Sequence, residues 1–243
     1  MKIKLEIQYD GTHYAGWQRQ KNGISIQEKI EEGLQKLFGE RVVLHGASRT
    51  DSGVHAKLQV AHFRASKILK NIDYALALNT QLPHDIRILS SQEVSEDFHA
   101  MRSTKSKIYE YFIYNKPVKS ALYYRHSLWV PQKLDVLAMD EASQYLVGVH
   151  DFKSFQASNS CFKTTVREIF GIKWKEKEEF LVFSIQGSGF LKYMVRIIVG
   201  TLLEVGKGNV TPLEFKEILN SKDRSQAGRT ARPQGLFLKE VLY

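Results

Sequence analysis

Cysteine is almost missing from this chain: Cys161 stands alone among 243 residues. A single thiol excludes an intramolecular disulfide and any thiolate cluster of zinc-site spacing, and it suits a reducing compartment. Cys161 itself reads as a small side chain near a loop. Long apolar runs are missing too. No window reaches the length of a membrane span, and Met1 leads into a strand pattern rather than a signal peptide, so a cytoplasmic protein with no membrane partner is expected. None of the eight histidines falls in a His-Glu-x-x-His arrangement, and there is no Walker loop. His55 and His62, on one expected strand, have no carboxylate or thiol partners at ligand spacing and read as structural. No metal is expected. No linker or low-complexity tract interrupts the chain, so any lobes must be closely joined.

What the chain has in excess is positive charge. Lys and Arg number 35 against 26 Asp and Glu, a net charge of +9, which points to a polyanionic partner. The 11 Tyr, 13 Phe and 3 Trp add faces on which bases can stack. The length suffices for one large or two modest domains with a real core.

Periodicity orders the elements. Residues 2–9 alternate, with Ile3, Leu5, Ile7 and Tyr9 on one face of a half-buried strand. Residues 10–22 read as a loop rich in polar and aromatic groups, suited either to nucleic acid or to a solvated turn around a buried Trp17. Ser25 with Glu28 forms a capping box, and Ile26, Ile30, Leu34, Leu37 and Phe38 share a helical face that stops at Gly39. Strands follow at 41–45 and 55–64, a helix around 70–79 and a strand at 86–94. The second half repeats this order loosely. It has a strand through Tyr109, Tyr111 and Ile113, a short one at 127–130, a helix over 134–147, a hairpin of 165–174 and 180–186, helices from Phe190 and Thr211, and a last strand at 236–242. The expected fold class is α+β, with two ferredoxin-like (RRM-like) lobes, 1–103 and 104–243, whose mainly antiparallel sheets are fused and flanked by helices.

Three features carry candidate chemistry. The loop from His45 to Ala56 displays Asp51 between small residues, with Arg49 two positions before it and Gly46 and Gly53 on either side. By local pattern alone this is an ordinary turn in which Asp51 bonds its own backbone. Gly187-Ser188-Gly189-Phe190-Leu191-Lys192 lies where a dinucleotide fingerprint would, but Lys192 replaces the third glycine and no parallel βαβ repeat surrounds it. Arg196 interrupts an apolar helix face, so its guanidinium must snorkel to solvent or be held by a buried anion.

Together with five other stretches, the loop Gly46–Ala56 resembles the tRNA pseudouridine synthase A family. Those stretches are Tyr9-Asp10-Gly11 with Gly16–Gln20; Asp97-Phe98-His99-Ala100; Tyr109-Glu110-Tyr111 through Asn115; Gly148–Phe152 with Ser154-Phe155; and Phe190–Gly200. The resemblance covers nearly the whole chain. It implies isomerisation of uridine to pseudouridine in the tRNA anticodon stem-loop, at positions 38 to 40 in the typical member, without cofactor or metal, by a homodimer. Position by position, Asp51 corresponds to the catalytic aspartate and Arg49 to an arginine that helps extrude the target base. Tyr109 corresponds to the tyrosine packed on that base, Arg196 to the basic partner of the aspartate, and Leu236 to an apolar pocket wall.

The chemistry suits those groups. Uracil must leave its ribose, turn while held, and rejoin through carbon, which asks for one carboxylate and a closed pocket. Asp51 would act as nucleophile or general base, routes between which the residues do not choose. A neighbouring Arg196 cation would favour its charged form. The chain departs from the family at Ser48, commonly glycine, and Ser52, commonly alanine, which leaves room for a paralogue with an altered target uridine. A non-catalytic RNA-binding module is the rival reading, and retention of Asp51, Tyr109 and Arg196 together argues against it.

Overall fold

The computed structural model describes residues 1–65, 72–158 and 163–243, so Cys161 and part of the helix expected at 70–79 lie outside the described residues. In chain order the elements are β1 (Lys2–Tyr9), α1 (Ile26–Phe38), β2 (Leu44–Gly46), β3 (His55–Arg64), α2 (Tyr74–Asn79), β4 (Ile86–Val94), β5 (Ser106–Tyr114), β6 (Leu128–Trp129), α3 (Val136–Gln144), β7 (Gly148–Asp151), β8 (Val166–Lys177), β9 (Phe180–Gly187), α4 (Met194–Gly206), α5 (Pro212–Ser221) and β10 (Leu236–Leu242). The chain packs as two compact units, Met1–Lys105 with Phe237–Tyr243, and Ser106–Leu236. All but the first residue of the final strand, which pairs in parallel with β3, falls in the first unit, whereas the sequence division at 103/104 put it in the second.

In the first unit β1 lies between β4 and β3, antiparallel to both. The far edge of β3 is shared: β2 pairs antiparallel with residues 61–63, and β10 pairs in parallel with His55 and Ala56. Alternation along β1 buries Ile3, Leu5, Ile7 and Tyr9, as a period of two requires. At the start of α1, Ser25 Oγ accepts from Glu28 N while the Glu28 carboxylate accepts from Ser25 N, and the helix ends on a left-handed Gly39. It buries Ile26, Ile30, Leu34 and Phe38, whereas Leu37 is only half-buried. β2 is shorter and later than expected. The Asp73 carboxylate caps the N–H groups of Ala75 and Leu76 and so sets the start of α2 at Tyr74.

In the second unit β5 pairs with β9, β9 with β8 and β8 with β7, all antiparallel, while β6 runs parallel to the end of β5. β8 and β9 form the expected hairpin, closed by Lys177 opposite Phe180, with Glu178 at φ 55° in the two-residue turn. Four-residue β7 was not expected, being too short to show a period. α4 begins at Met194 rather than Phe190, since Tyr193 at φ 63° breaks the helical run before it. α5 starts as its sequence predicts, with a Thr211–Glu214 capping box and Pro212 in the first turn. Among the described residues, no helix is long and apolar enough to cross a membrane.

Candidate active site

Residues 47–54 join β2 to β3 without regular structure, yet their backbone is fastened along its length. At the entry Ala47 N donates to Val60 O (2.8 Å), and the buried Gln59 amide donates to Ser48 O (2.8 Å) while accepting from Ser48 N (3.3 Å). In the middle the buried Thr50 shares a 2.7 Å hydrogen bond with the Tyr9 hydroxyl, and its carbonyl accepts from Trp17 N at 3.0 Å. Past the tip, Ser52 Oγ (3.1 Å) and Gly53 N (3.3 Å) both donate to Tyr14 O, and Val54 N closes a turn on Asp51 O (3.1 Å). The segment 9–17 thus holds the backbone immediately before and after Asp51. The carboxylate residue itself is half-buried and Arg49 is exposed.

Close approach explains two glycines of this segment. Gly16 adopts φ +98°, and a side chain there would meet Thr50 O at 2.6 Å and the Asp51 carbonyl carbon at 3.1 Å. Gly46 lies directly beneath the Trp17 indole, so that ring, 2% exposed, is a buried brace and not a stacking platform. Tyr14 is in turn anchored by donating from its hydroxyl to Asp85 Oδ1 (2.6 Å); burial first, and this bond second, raise its pKa and keep it a donor. The two serines that depart from the family pattern fit this frame: Ser52 adds the bond to Tyr14, and Ser48 is buried against Gln59. His55 Nδ1 accepts from Gly11 N (3.1 Å), and its ring stacks on Phe237 with centroids 4.6 Å apart. His62 Nδ1 accepts from Ala100 N (3.2 Å), so each of these rings has a place in the backbone scaffold.

The other candidates lie in the second unit. Tyr109, 6% exposed, sits on β5 opposite Ile185, with its ring edge-on to Phe190 (5.1 Å, 81°). Two residues on, the fully buried Tyr111 donates to Arg232 O at 2.6 Å; burial pushes its pKa up, while the Arg196 and Arg232 charges pull the other way. Arg196 stands in the first turn of α4. Its Nε donates to Ala231 O (2.8 Å), its carbonyl accepts from Ala231 N (3.0 Å), and its guanidinium covers the Tyr193 ring at 4.8 Å. Gly235 packs on the Tyr111 ring, where a Cβ would lie at 2.7 Å, and Leu236 follows, 4% exposed. Tyr109, Arg196 and Leu236 are therefore built into one assembly of β5, α4 and residues 231–236, while Asp51 and Arg49 belong to the first unit.

Tyr9, Tyr14 and Gln59 are positioning residues that the sequence did not assign. Tyr9 was visible as a strand residue, but nothing in a linear pattern couples it to Thr50, 41 positions away.

The match to known proteins spans these elements. The family model described as tRNA pseudouridine synthase covers residues 6–101 and 142–243. The tRNA pseudouridine synthase A of Acetivibrio thermocellus is 48% identical over 241 residues, 99% of either chain, and that of Clostridium acetobutylicum 43% over the same extent. A Clostridium perfringens protein named tRNA pseudouridine synthase A 2 is 46% identical, again over 99% of both. Among solved structures, an H/ACA ribonucleoprotein bound to a substrate RNA containing 2'-deoxyuridine aligns with 83% of this chain and 44% of that one at 10% identity and a TM-score of 0.38, too low to argue from. With a family model over most of its length and relatives above 40% identity from end to end, the chain belongs to the tRNA pseudouridine synthase family.

Proposed function

We propose that this enzyme converts uridine to pseudouridine in the anticodon stem-loop of tRNA, at positions 38 to 40, with Asp51 as its catalytic carboxylate. The coarser statement, that it is a tRNA pseudouridine synthase, follows from its family. In the reaction the N1–C1′ bond breaks, a C5–C1′ bond forms, and the proton lost from C5 is balanced by one gained at N1. Atoms and electrons balance within the substrate, so the protein's task is to hold, turn and deprotonate. Asp51 acts on the ribose or the base, as nucleophile or as general base. Tyr109 supplies a π-face for the extruded base, a contact worth about 1–3 kcal/mol, and Leu236 an apolar wall. Arg196 takes the role of the basic partner that the family resemblance assigns to the aspartate, and Arg49 helps take the base out of its stack. Extrusion costs a few kcal/mol, which phosphate contacts across a surface of net charge +9 offset.

The observation that carries the assignment of Asp51 is its mounting: a half-buried carboxylate on a loop whose flanking backbone is bonded on both sides to the 9–17 segment. A solvated turn needs no such fastening, whereas a reacting group must be held to a fraction of an ångström. Asp51→Ala is expected to abolish pseudouridine formation on unmodified tRNA transcripts while most tRNA affinity remains. Product formed at the wild-type rate would remove Asp51 from the chemistry, and mapping pseudouridine by position in the same assay tests the target sites.

The element order β1-α1-β2-β3-α2-β4, with β1 between β3 and β4 and β2 on β3, supports reading the first unit as a ferredoxin-like lobe. We extend that reading to the second unit, and the chain to a cytoplasmic homodimer, on family resemblance; a monomer by light scattering at working concentration would overturn the dimer.

A further inference from the structure

Side chains at alternate positions of a strand share a face, so Lys107, Tyr109 and Tyr111 project from β5 in one row. Across the row Lys107 is paired with Gly187 of β9, which is in turn paired with Ile169 of β8. Because Gly187 has no side chain, Ile169 Cδ1 and the Phe190 ring close over it, at 2.8 and 3.2 Å from where its Cβ would be. Arg167 is two residues before Ile169 on β8, and its Nε lies 3.7 Å from the Cβ position of Gly189. Its guanidinium also donates to the carbonyls of Thr164 and Val166.

The result is a pair of cations set around an apolar patch that also touches Tyr109 through Phe190. Among the described residues the Lys107 ammonium has no hydrogen bond or ion pair, and the residue is half-buried. Burial, and then the Arg167 charge, lower its pKa to about 8. A core does not keep an unmatched half-buried cation beside a second one for stability, since an apolar side chain of that shape would cost less.

We propose that Lys107 and Arg167 form a phosphodiester-binding site that seizes the RNA backbone next to the nucleotide whose base lies on Tyr109. This rests on the reading of Tyr109 as the base platform. Two strand positions span roughly 6.6 Å, which is comparable to the reach from a base to the phosphate of its own nucleotide. The Gly187–Phe190 loop then has a use unrelated to any dinucleotide: its glycines let strand backbone and ring close up so that the two cations frame one anion.

The test uses synthetic anticodon stem-loops in which one phosphodiester at a time, flanking the target uridine or remote from it, is replaced by an uncharged methylphosphonate. One flanking replacement should weaken binding to the wild-type enzyme by about tenfold. It should cost K107M nothing further. K107M itself should bind natural RNA about tenfold more weakly, with the slope of log affinity against log salt reduced by about one, should melt no lower than wild type, and K107R should restore affinity. K107M with unchanged affinity and salt slope, or one still sensitive to every flanking replacement, overturns the site. So does a K107M that fails to fold, since the charge would then serve the core. Tyr109→Leu should weaken binding yet keep the linkage between K107M and the flanking phosphodiester; a Tyr109→Leu that binds as wild type while that linkage persists removes the platform and leaves the site, which separates failure of this site from failure of the Tyr109 reading.

Discussion

The Asp51 loop and the Tyr109–Arg196 face solve opposite problems. The loop has no regular structure of its own and is held because its carbonyls and amides are matched by Tyr14, Trp17 and Gln59 and its Thr50 hydroxyl by Tyr9, with Gly11 and Gly16 packed closely on its backbone. The β5 face stands on a strand and a helix, and its candidate side chains are large: an aromatic ring edge-on to Phe190, and a guanidinium tied to Ala231 O and covering Tyr193. A small carboxylate has little side chain to aim, so its backbone must be aimed for it. Large groups are instead oriented by what they pack on. Precision therefore resides in backbone hydrogen bonds in the first region and in side-chain packing in the second.

Substitutions can break or sharpen that contrast. Arg196→Leu keeps the length of an apolar helix residue but removes the charge, and should lower the rate of pseudouridine formation by about 10²–10³-fold with the helical content of the protein retained by circular dichroism. Wild-type activity would show that the second unit contributes packing without charge. Next in size, Gly16→Ala adds no chemistry, only a Cβ 2.6 Å from Thr50 O in a backbone at φ +98°. It should cost about 1–2 kcal/mol in strain, read as a lower melting temperature. By displacing the loop it should also cost about 100-fold in rate. If activity survives unchanged, the loop is not positioned from segment 9–17.

The smallest effect concerns the far end of β3, where His62 is 4% exposed beside His45 and His99, with ring centroids 5.1 and 4.8 Å away. Burial first, then the His99 and His45 charges, with Lys2 and Arg102 behind them, hold its pKa down at about 4, against 6.5 for an ordinary histidine. Between those two values the unfolded chain takes a proton that the folded His62 refuses, so stability falls as the pH drops from 6.5 towards 4, by at most about 1.4 kcal/mol per pH unit. His62→Gln should flatten that part of the denaturation profile and leave the rate at neutral pH unaltered, separating the stability of the first unit from the mounting of its loop.

Much of this architecture could be read in advance because its causes are local. β1 alternates every two residues, α1 carries its own capping box and glycine stop, and α5 begins with Thr211-Pro212. Element ends that depend on one unusual backbone angle were not readable. α4 starts late because Tyr193 turns left-handed, and nothing in Phe190–Tyr193 announces it. The candidate site came from resemblance: Asp51, Arg49, Tyr109, Arg196 and Leu236 stand where the family motifs place them, whereas physical pattern alone left the loop an ordinary turn and the arginine with two fates.

By itself, then, the sequence determined the order and type of most elements and the net positive charge, since each depends on neighbours in the chain or on composition, while family resemblance supplied the candidate carboxylate. Tertiary structure decided which unit the last strand joins, that Trp17 braces a backbone and does not stack on a base, that Arg196 is held by the Ala231 carbonyl, and that Lys107 stands half-buried near Arg167. Those facts depend on atoms brought together from 29 or more positions apart, whose distances no local period or propensity encodes.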